Sequence, residues 1–251
     1  MLLARRRPGG EPGPDKDECA RVQHRARILP GMVEYDSFAA DYDHWAADMV
    51  DDVQWYVSLA RNAEQAIVEL GVGTGRVAIP IARETGKRVL GIDTSPAMLA
   101  IGREKAVDLP IEFREGDMRE LALDEPVGLI ICPGRSLMHV RTWADKRRLF
   151  EHVAAALRPG GRFAWNVFAM SPLLAVEHEQ KGETRNVPSD NRIDLIRNGG
   201  VIPLWWMTRA EQEGLIDVAG LEVEALHGGF HREPYDETTY EMVWIARKPT
   251  T

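Results

Sequence analysis

Three glycines alternate at Gly71, Gly73 and Gly75, directly after the apolar run of residues 66–70, AIVEL. Glycines at the end of a strand let the chain turn sharply and bring backbone N–H groups close to a ligand, usually a nucleotide. Arg76 stands where the third glycine of a dinucleotide loop would fall, so the spacing is not that of a dinucleotide fingerprint. Asp93 ends the next apolar run, and a carboxylate there can accept two hydrogen bonds from a ribose diol. Asp117 and Met118 follow a third run and offer one polar and one apolar contact to an adenine. After a fourth run come Cys132, Pro133, Gly134, Arg135, Ser136 and His139. In parallel α/β folds the ligand lies outside the carboxyl ends of the strands, so this last segment is expected to border the reacting atoms.

The elements that must hold these residues alternate along the chain. AIVEL reads as a strand and RVAIPIARET as a helix; RVLGID is the next strand, and PAMLAIGREKA the next helix, with Pro96 in its first turn. IEFREGD and VGLIICP are two more strands, TWADKRRLFEHVAAALRPGG is a helix closed by Pro-Gly-Gly, and RFAWNVF is a fifth strand. Such alternation predicts a mainly parallel sheet with helices on both faces. Asn198-Gly199 between two runs signals a two-residue hairpin, Thr208 a helix N-cap, and the chain closes on two strands, the last antiparallel. Ahead of all this, Tyr35, Phe38, Tyr42, Trp45 and Met49 recur at steps of three and four, one face of a helix.

Four segments in register, VELGVGTGR, GIDTSPAML, EGDMREL and LRPGGRF, resemble the class I S-adenosylmethionine-dependent methyltransferases over about residues 33 to 247. The resemblance implies a Rossmann-like α/β fold: a seven-stranded, mainly parallel sheet with an antiparallel last strand, an N-terminal lid helix and a small hairpin cap. It implies S-adenosyl-L-methionine as cofactor and S-adenosyl-L-homocysteine as product. Glu69 and the loop with Gly71, Gly73 and Gly75 would hold the methionine part, with Leu70 and Arg76 also at the cofactor. Asp93 would bind the ribose, with Thr94 and Met98 beside the adenosine, Asp117 and Met118 flanking the adenine, and Pro133 and Tyr35 also at the cofactor. Gly128 departs from the acidic or aromatic residue usual at the start of the fourth strand.

GRSLMH is similar to the GNSxxH segment of glycine- and sarcosine-type N-methyltransferases and their antibiotic and sugar relatives, with Arg135 in place of Asn. Gly134, Arg135 and one of the adjacent tryptophans, Trp206, would face the acceptor; Arg135 suggests an acidic or larger acceptor, or else pairs with a surface acid. His139 is a candidate base near neutral pH, or a residue that caps the next helix or lines the cofactor. Tyr42 is the second candidate catalytic residue, a phenol toward the substrate; Tyr42 or Trp45 could face the sulfonium.

Residues 1–31 are rich in Arg, Pro and Gly and are expected to be a disordered tail, with one domain over 32–251, lid helices at 32–62 and a substrate cap at 167–207. A net charge of −8 opposes nucleic acid and anionic membranes as partners, and no apolar run is long enough for a bilayer. Two distant cysteines suggest neither a disulfide framework nor a metal site. The expectation is a cytoplasmic enzyme, monomer or homodimer, methylating a nitrogen of a small molecule, with O-methylation as the alternative. A catalytically silent cofactor-binding or regulatory protein is the non-enzyme alternative.

Overall fold

In the computed structural model the described residues are 35–36, 38–64, 66–169, 184–197, 200–236 and 238–250. The expectation of a disordered tail over residues 1–31 lies outside them. Residues Val33–Thr251 form one unit.

Apolar strands alternate with amphipathic helices as the sequence predicts. The strands are β1 Ile67–Leu70, β2 Val89–Asp93, β3 Ile111–Glu115, β4 Val127–Cys132 and β5 Leu157–Phe168. Closing the sheet are β9 Glu222–His227 and β10 Glu241–Arg247. Their order is β3-β2-β1-β4-β5-β10-β9, with β10 antiparallel to both neighbours. Successive strands run outward from β1 in one direction and then restart at β4 on its other side. That reversal leaves a crevice at the carboxyl ends of β1 and β4, which is where an open α/β sheet receives its ligand.

Two apolar layers hold the sheet. Helices α1 Ala39–Trp45, α2 Asp51–Arg61, α3 Ala78–Thr85 and α4 Pro96–Lys105 precede the second half of the sheet in the chain. Trp55, Tyr56 and Val57 of α2 and Ile81 of α3 cover one face with Ile67, Val89 and Ile131. On the other, Leu149, Phe150 and Val153 of α5 Trp143–Ala156 and Leu215 of α6 Arg209–Val218 pack on Val68, Leu70, Ile130 and Trp165. Helix starts follow their capping residues. Ser95 accepts the Met98 N–H ahead of Pro96, and Thr208 forms a capping box with Glu211.

The structure differs from expectation in three places. Pro159-Gly160-Gly161 does not close α5; that helix ends at Ala156, and Leu157 already pairs with Val127. The lid periodicity is split between the short helix α1 and turns on either side, which keep Tyr35 and Met49 in step with it. The cap is a three-stranded antiparallel sheet, β6 Thr184–Val187, β7 Arg192–Arg197 and β8 Gly200–Trp205, where a single hairpin is expected. Arg197 pairs with Gly200 across the predicted two-residue turn, whose own residues lie outside those described. β6 has the sequence TRNV, too polar to show a strand period.

Candidate active site

The loop after β1 is pinned to the end of β2: the Gly71 and Val72 N–H groups donate to the Ile92 carbonyl at 2.8 and 3.0 Å. Its glycines divide their work. Gly71 and Gly73, both at positive φ, line a cavity of about 280 Å³, while a Cβ on Gly75 would meet Ile79 and Phe113 of the core. That volume is at the lower edge of small-molecule pockets. Asp93 ties the two loops together, accepting from Gly73 N–H at 2.8 Å and Ser95 N–H at 2.9 Å. Burial raises its pKa, and those backbone donors oppose the shift. Glu69 is 2% exposed, and its Oε2 has no partner among the described residues. Burial pushes its carboxyl well above the usual range, with the Arg76 charge acting against that.

The far wall comes from the ends of β2 and β3. Ile92, Thr94, Met98 and Met118 supply apolar surface, and Asp117 supplies a carboxylate. Arg119 hydrogen bonds to Asp117 and holds that carboxyl below its ordinary pKa.

After β4 the chain takes two consecutive left-handed residues, Gly134 at φ 64° and Arg135 at 63°, then a 3-10 turn over Ser136–His139. Ser136 Oγ donates to the Pro133 carbonyl at 2.8 Å, which sets it against the glycine loop. A Cβ on Gly71 would come within 2.6 Å of that Oγ, so glycine is required there for space as well as for φ. Arg135 has no such freedom, and the left-handed conformation costs a non-glycine residue about 1 kcal/mol. Asparagine, which the resemblance leads one to expect at this position, tolerates it better. The Arg135 guanidinium donates to Glu241 Oε2 at 2.8 Å and lies 4.0 Å over the Phe168 ring. His139 Nε2 is 3.0 Å from the Tyr35 hydroxyl, and burial depresses its pKa to about 4.

The N-terminal segment closes the cavity. Tyr35, Tyr42, Trp45 and Met49 face inward, and acidic side chains fasten the segment to the loops beneath. Ser95 Oγ donates to Asp36 at 2.5 Å and Thr74 Oγ1 to Asp43 at 2.6 Å. Arg76 forms a two-pronged ion pair with Asp52 at 2.7 and 2.6 Å and also donates to the Met49 carbonyl at 2.7 Å. From the cap, Leu195 and Leu204 reach the cavity.

Of the catalytic, cofactor and acceptor candidates assigned from the sequence, twelve line this one cavity, and Trp45 and Ser136 line it as well. Among those expected at the cofactor these are Tyr35, Gly71, Gly73, Asp93, Thr94 and Met98, with Asp117 and Met118. Among those expected in catalysis or at the acceptor they are Tyr42, Gly134, Arg135 and His139. Six do not line it. Leu70 is wholly buried in the core, Gly75 packs on Ile79 and Phe113, and Pro133 is buried and serves as acceptor to Ser136. Glu69 lies below the surface of the loop, and Arg76 is turned to Asp52. Trp206, just beyond β8, packs against the core with its indole nitrogen buried, so the tryptophan expected at the acceptor is replaced by two leucines. Burial lowers the His139 pKa to about 4, so near pH 7 its imidazole is neutral and a weak base. The partner of Arg135 is the buried Glu241, where a surface acid is expected. Sequence reasoning missed Met49, Arg119, Leu195, Leu204 and Glu241. Met49 had a signal, its place on the lid periodicity, and Arg119 another, its place two residues after Asp117; the others depend on strand register and chain reversal.

Residues 67–161 match the family described as a methyltransferase domain. The cypemycin N-terminal methyltransferase of a Streptomyces species is 23% identical over 217 residues, covering 78% of this chain and 88% of that protein. Among solved structures, the CcbJ methyltransferase from Streptomyces caelestis superposes with a TM-score of 0.65 at 23% identity, covering 79% of this chain and 94% of that one. The glycopeptide N-methyltransferase MtfA, solved with S-adenosyl-L-homocysteine, gives a TM-score of 0.61 at 20% identity, with 80% and 90% covered. These structural likenesses carry the fold.

Proposed function

Because the chain carries a class I S-adenosylmethionine-dependent methyltransferase domain, we propose that it transfers the cofactor's methyl group to a neutral nitrogen of a small molecule. The observation that carries the preference for nitrogen is the state of His139. It lies on the acceptor side of the cavity, holds a hydrogen bond with Tyr35, and is a weak base with a pKa of about 4. A hydroxyl acceptor must lose its proton as it reacts and benefits from a base; a neutral amine already presents its lone pair. The relatives named as N-methyltransferases support the same reading.

The cofactor fits the residues present. The orphaned Glu69 oxygen offers an unused acceptor next to the glycine loop, and the open space at Gly73 leaves room for a ligand against the backbone. Gly71, Gly73 and Glu69 would hold the methionine part, Asp93 the ribose, and Asp117 and Met118 the adenine. When bound, S-adenosylmethionine supplies a methyl group activated on sulfonium sulfur for in-line displacement. The protein's own task is alignment and exclusion of water. Tyr35, Tyr42 and Trp45 close over the cavity from the lid, and Arg135, Leu195 and Leu204 bound the acceptor.

Among the described residues no helix is long and apolar enough to cross a membrane. The net charge of −8 disfavours nucleic acid and anionic membranes as partners, which supports a small-molecule acceptor; a cytoplasmic location and a monomeric or homodimeric state are part of the proposal. The test is calorimetric titration with S-adenosyl-L-homocysteine, with NADH as comparison and Asp93→Ala as control, followed by mass spectrometry on amine and hydroxyl panels. Micromolar binding of the first ligand alone, lost in the variant, with methylated amines as products, is the expected result. NADH binding, or products methylated only on oxygen, would overturn it.

A further inference from the structure

Behind the acceptor wall runs a buried chain of hydrogen bonds that the transfer itself does not need. Tyr56, wholly buried in α2, donates its hydroxyl to Asn166 Oδ1 at 2.9 Å. Asn166, in β5 and 2% exposed, donates from Nδ2 to Glu241 Oε1 at 2.5 Å. Glu241 opens β10, is 7% exposed, and receives Arg135 Nη2 at 2.8 Å and Nε at 3.2 Å on its other oxygen. Phe168 lies flat beneath the guanidinium at 4.0 Å.

From this we infer that Arg135 is the specificity-determining residue for an anionic group on the acceptor, a carboxylate in the simplest case, and that Glu241, Asn166 and Tyr56 are positioning residues that aim it. The inference rests on the methyltransferase reading. Four features converge on it. Arg135 keeps an unfavourable left-handed backbone, which persists in proteins where surrounding structure enforces it for a purpose. Its charge is fixed from two sides, by a carboxylate and by an aromatic face. Glu241 takes the Nε and Nη2 edge of the fork, no described residue takes Nη1, and Arg135 is on the cavity wall. Val140, Leu195 and Leu204 give the same cavity apolar surface, against which a guanidinium distinguishes a charged from a neutral ligand group.

The experiment uses the full chain loaded with S-adenosyl-L-homocysteine and titrated calorimetrically with benzoate and with benzamide, which share shape and differ in charge. Benzoate is expected to bind about tenfold more tightly, the scale of one hydrogen bond to a charged group. Arg135→Gln should bring the two affinities together, and Arg135→Lys should keep part of the difference, having the charge without the planar fork. Tyr56→Phe tests the positioning chain. It removes only its far end and leaves every charge beside the cation in place, which a change at Glu241 would not. The ratio should fall severalfold in Tyr56→Phe while the S-adenosyl-L-homocysteine affinity stays the same. Equal affinities in the parent protein, binding of neither probe, or discrimination that survives Arg135→Gln would overturn the inference while leaving cofactor binding intact. Failure to bind S-adenosyl-L-homocysteine would overturn the reading beneath it, and the inference with it.

Discussion

The Tyr35 hydroxyl and His139 Nε2 lie 3.0 Å apart, joining the lid to the segment after β4 across the mouth of the cavity. The pair fixes an imidazole that burial keeps neutral, and this has a consequence for stability. The folded pKa is about 4 against an ordinary 6.5, so between those values the unfolded chain takes up a proton that the folded one refuses. The stability from this group is complete above about pH 6.5 and is lost as pH falls toward 4. Denaturant midpoints measured across that window should decline with acidity. His139→Gln, which keeps an acceptor for Tyr35, should flatten the decline. Turnover in the parent protein should show no histidine step between about pH 5 and 8.

The ion pair between Arg76 and Asp52 links α2 to the glycine loop, with side chains 13% and 5% exposed. Asp52→Ala leaves an arginine charge buried beside Glu69 and Tyr42 without its partner. A loss of about 3–5 kcal/mol is expected, read as a lower denaturation midpoint. The double variant Asp52→Leu with Arg76→Met should recover much of that loss, because two apolar residues carry no desolvation cost. If the double variant is as unstable as Asp52→Ala, an uncompensated charge is not the cause.

Gly71 and Ser136 make the tightest approach between the two loops of the site. Gly71→Ala would place its Cβ 2.6 Å from Ser136 Oγ while holding φ at 70°. Both the contact and the torsion oppose alanine, and a loss of about 1–3 kcal/mol is expected for the torsion alone. Affinity for S-adenosyl-L-homocysteine should fall with it. Adding Ser136→Gly relieves the contact but not the torsion, so calorimetry should show only partial recovery. Full recovery would mean the left-handed backbone is not a constraint.

What could be read from the sequence is what local chain chemistry decides. The glycine loop, Asp93, Asp117 and the capping residues Ser95 and Thr208 all follow from a strand ending in a turn or a helix beginning at a cap. Arg76 was legible as a loop residue, but its partner Asp52 sits in a different helix, so its direction was not. Glu241 lies far from Arg135 and Asn166 in the chain and meets them only through the antiparallel return of β10. Leu195 and Leu204 reach the cavity through the register of a cap sheet whose first strand has no apolar period. The pKa of His139 depends on burial, which no spacing encodes. Proximity in sequence therefore discloses the glycine loop and the ends of β2 and β3 more fully than the rest of the cavity wall, which is assembled from separate stretches of chain.

Glu69 offers the last test, because its carboxyl is buried, short of one hydrogen bond and displaced well upward in pKa. Such a group favours the neutral form until a cation approaches, and S-adenosyl-L-homocysteine carries an ammonium on its amino-acid end. If that ammonium is bound near Glu69, binding must expel the carboxyl proton at any pH below the raised pKa. Affinity should therefore climb with pH and level off once the carboxyl is already ionised in the free protein. Calorimetry in buffers of different ionisation enthalpy should register protons leaving in the rising part of that curve. Glu69→Gln should bind more weakly at the plateau and lose both the pH slope and the proton release. A slope that persists in Glu69→Gln would assign it to another group, with Asp93, whose pKa is also raised, the next to be substituted.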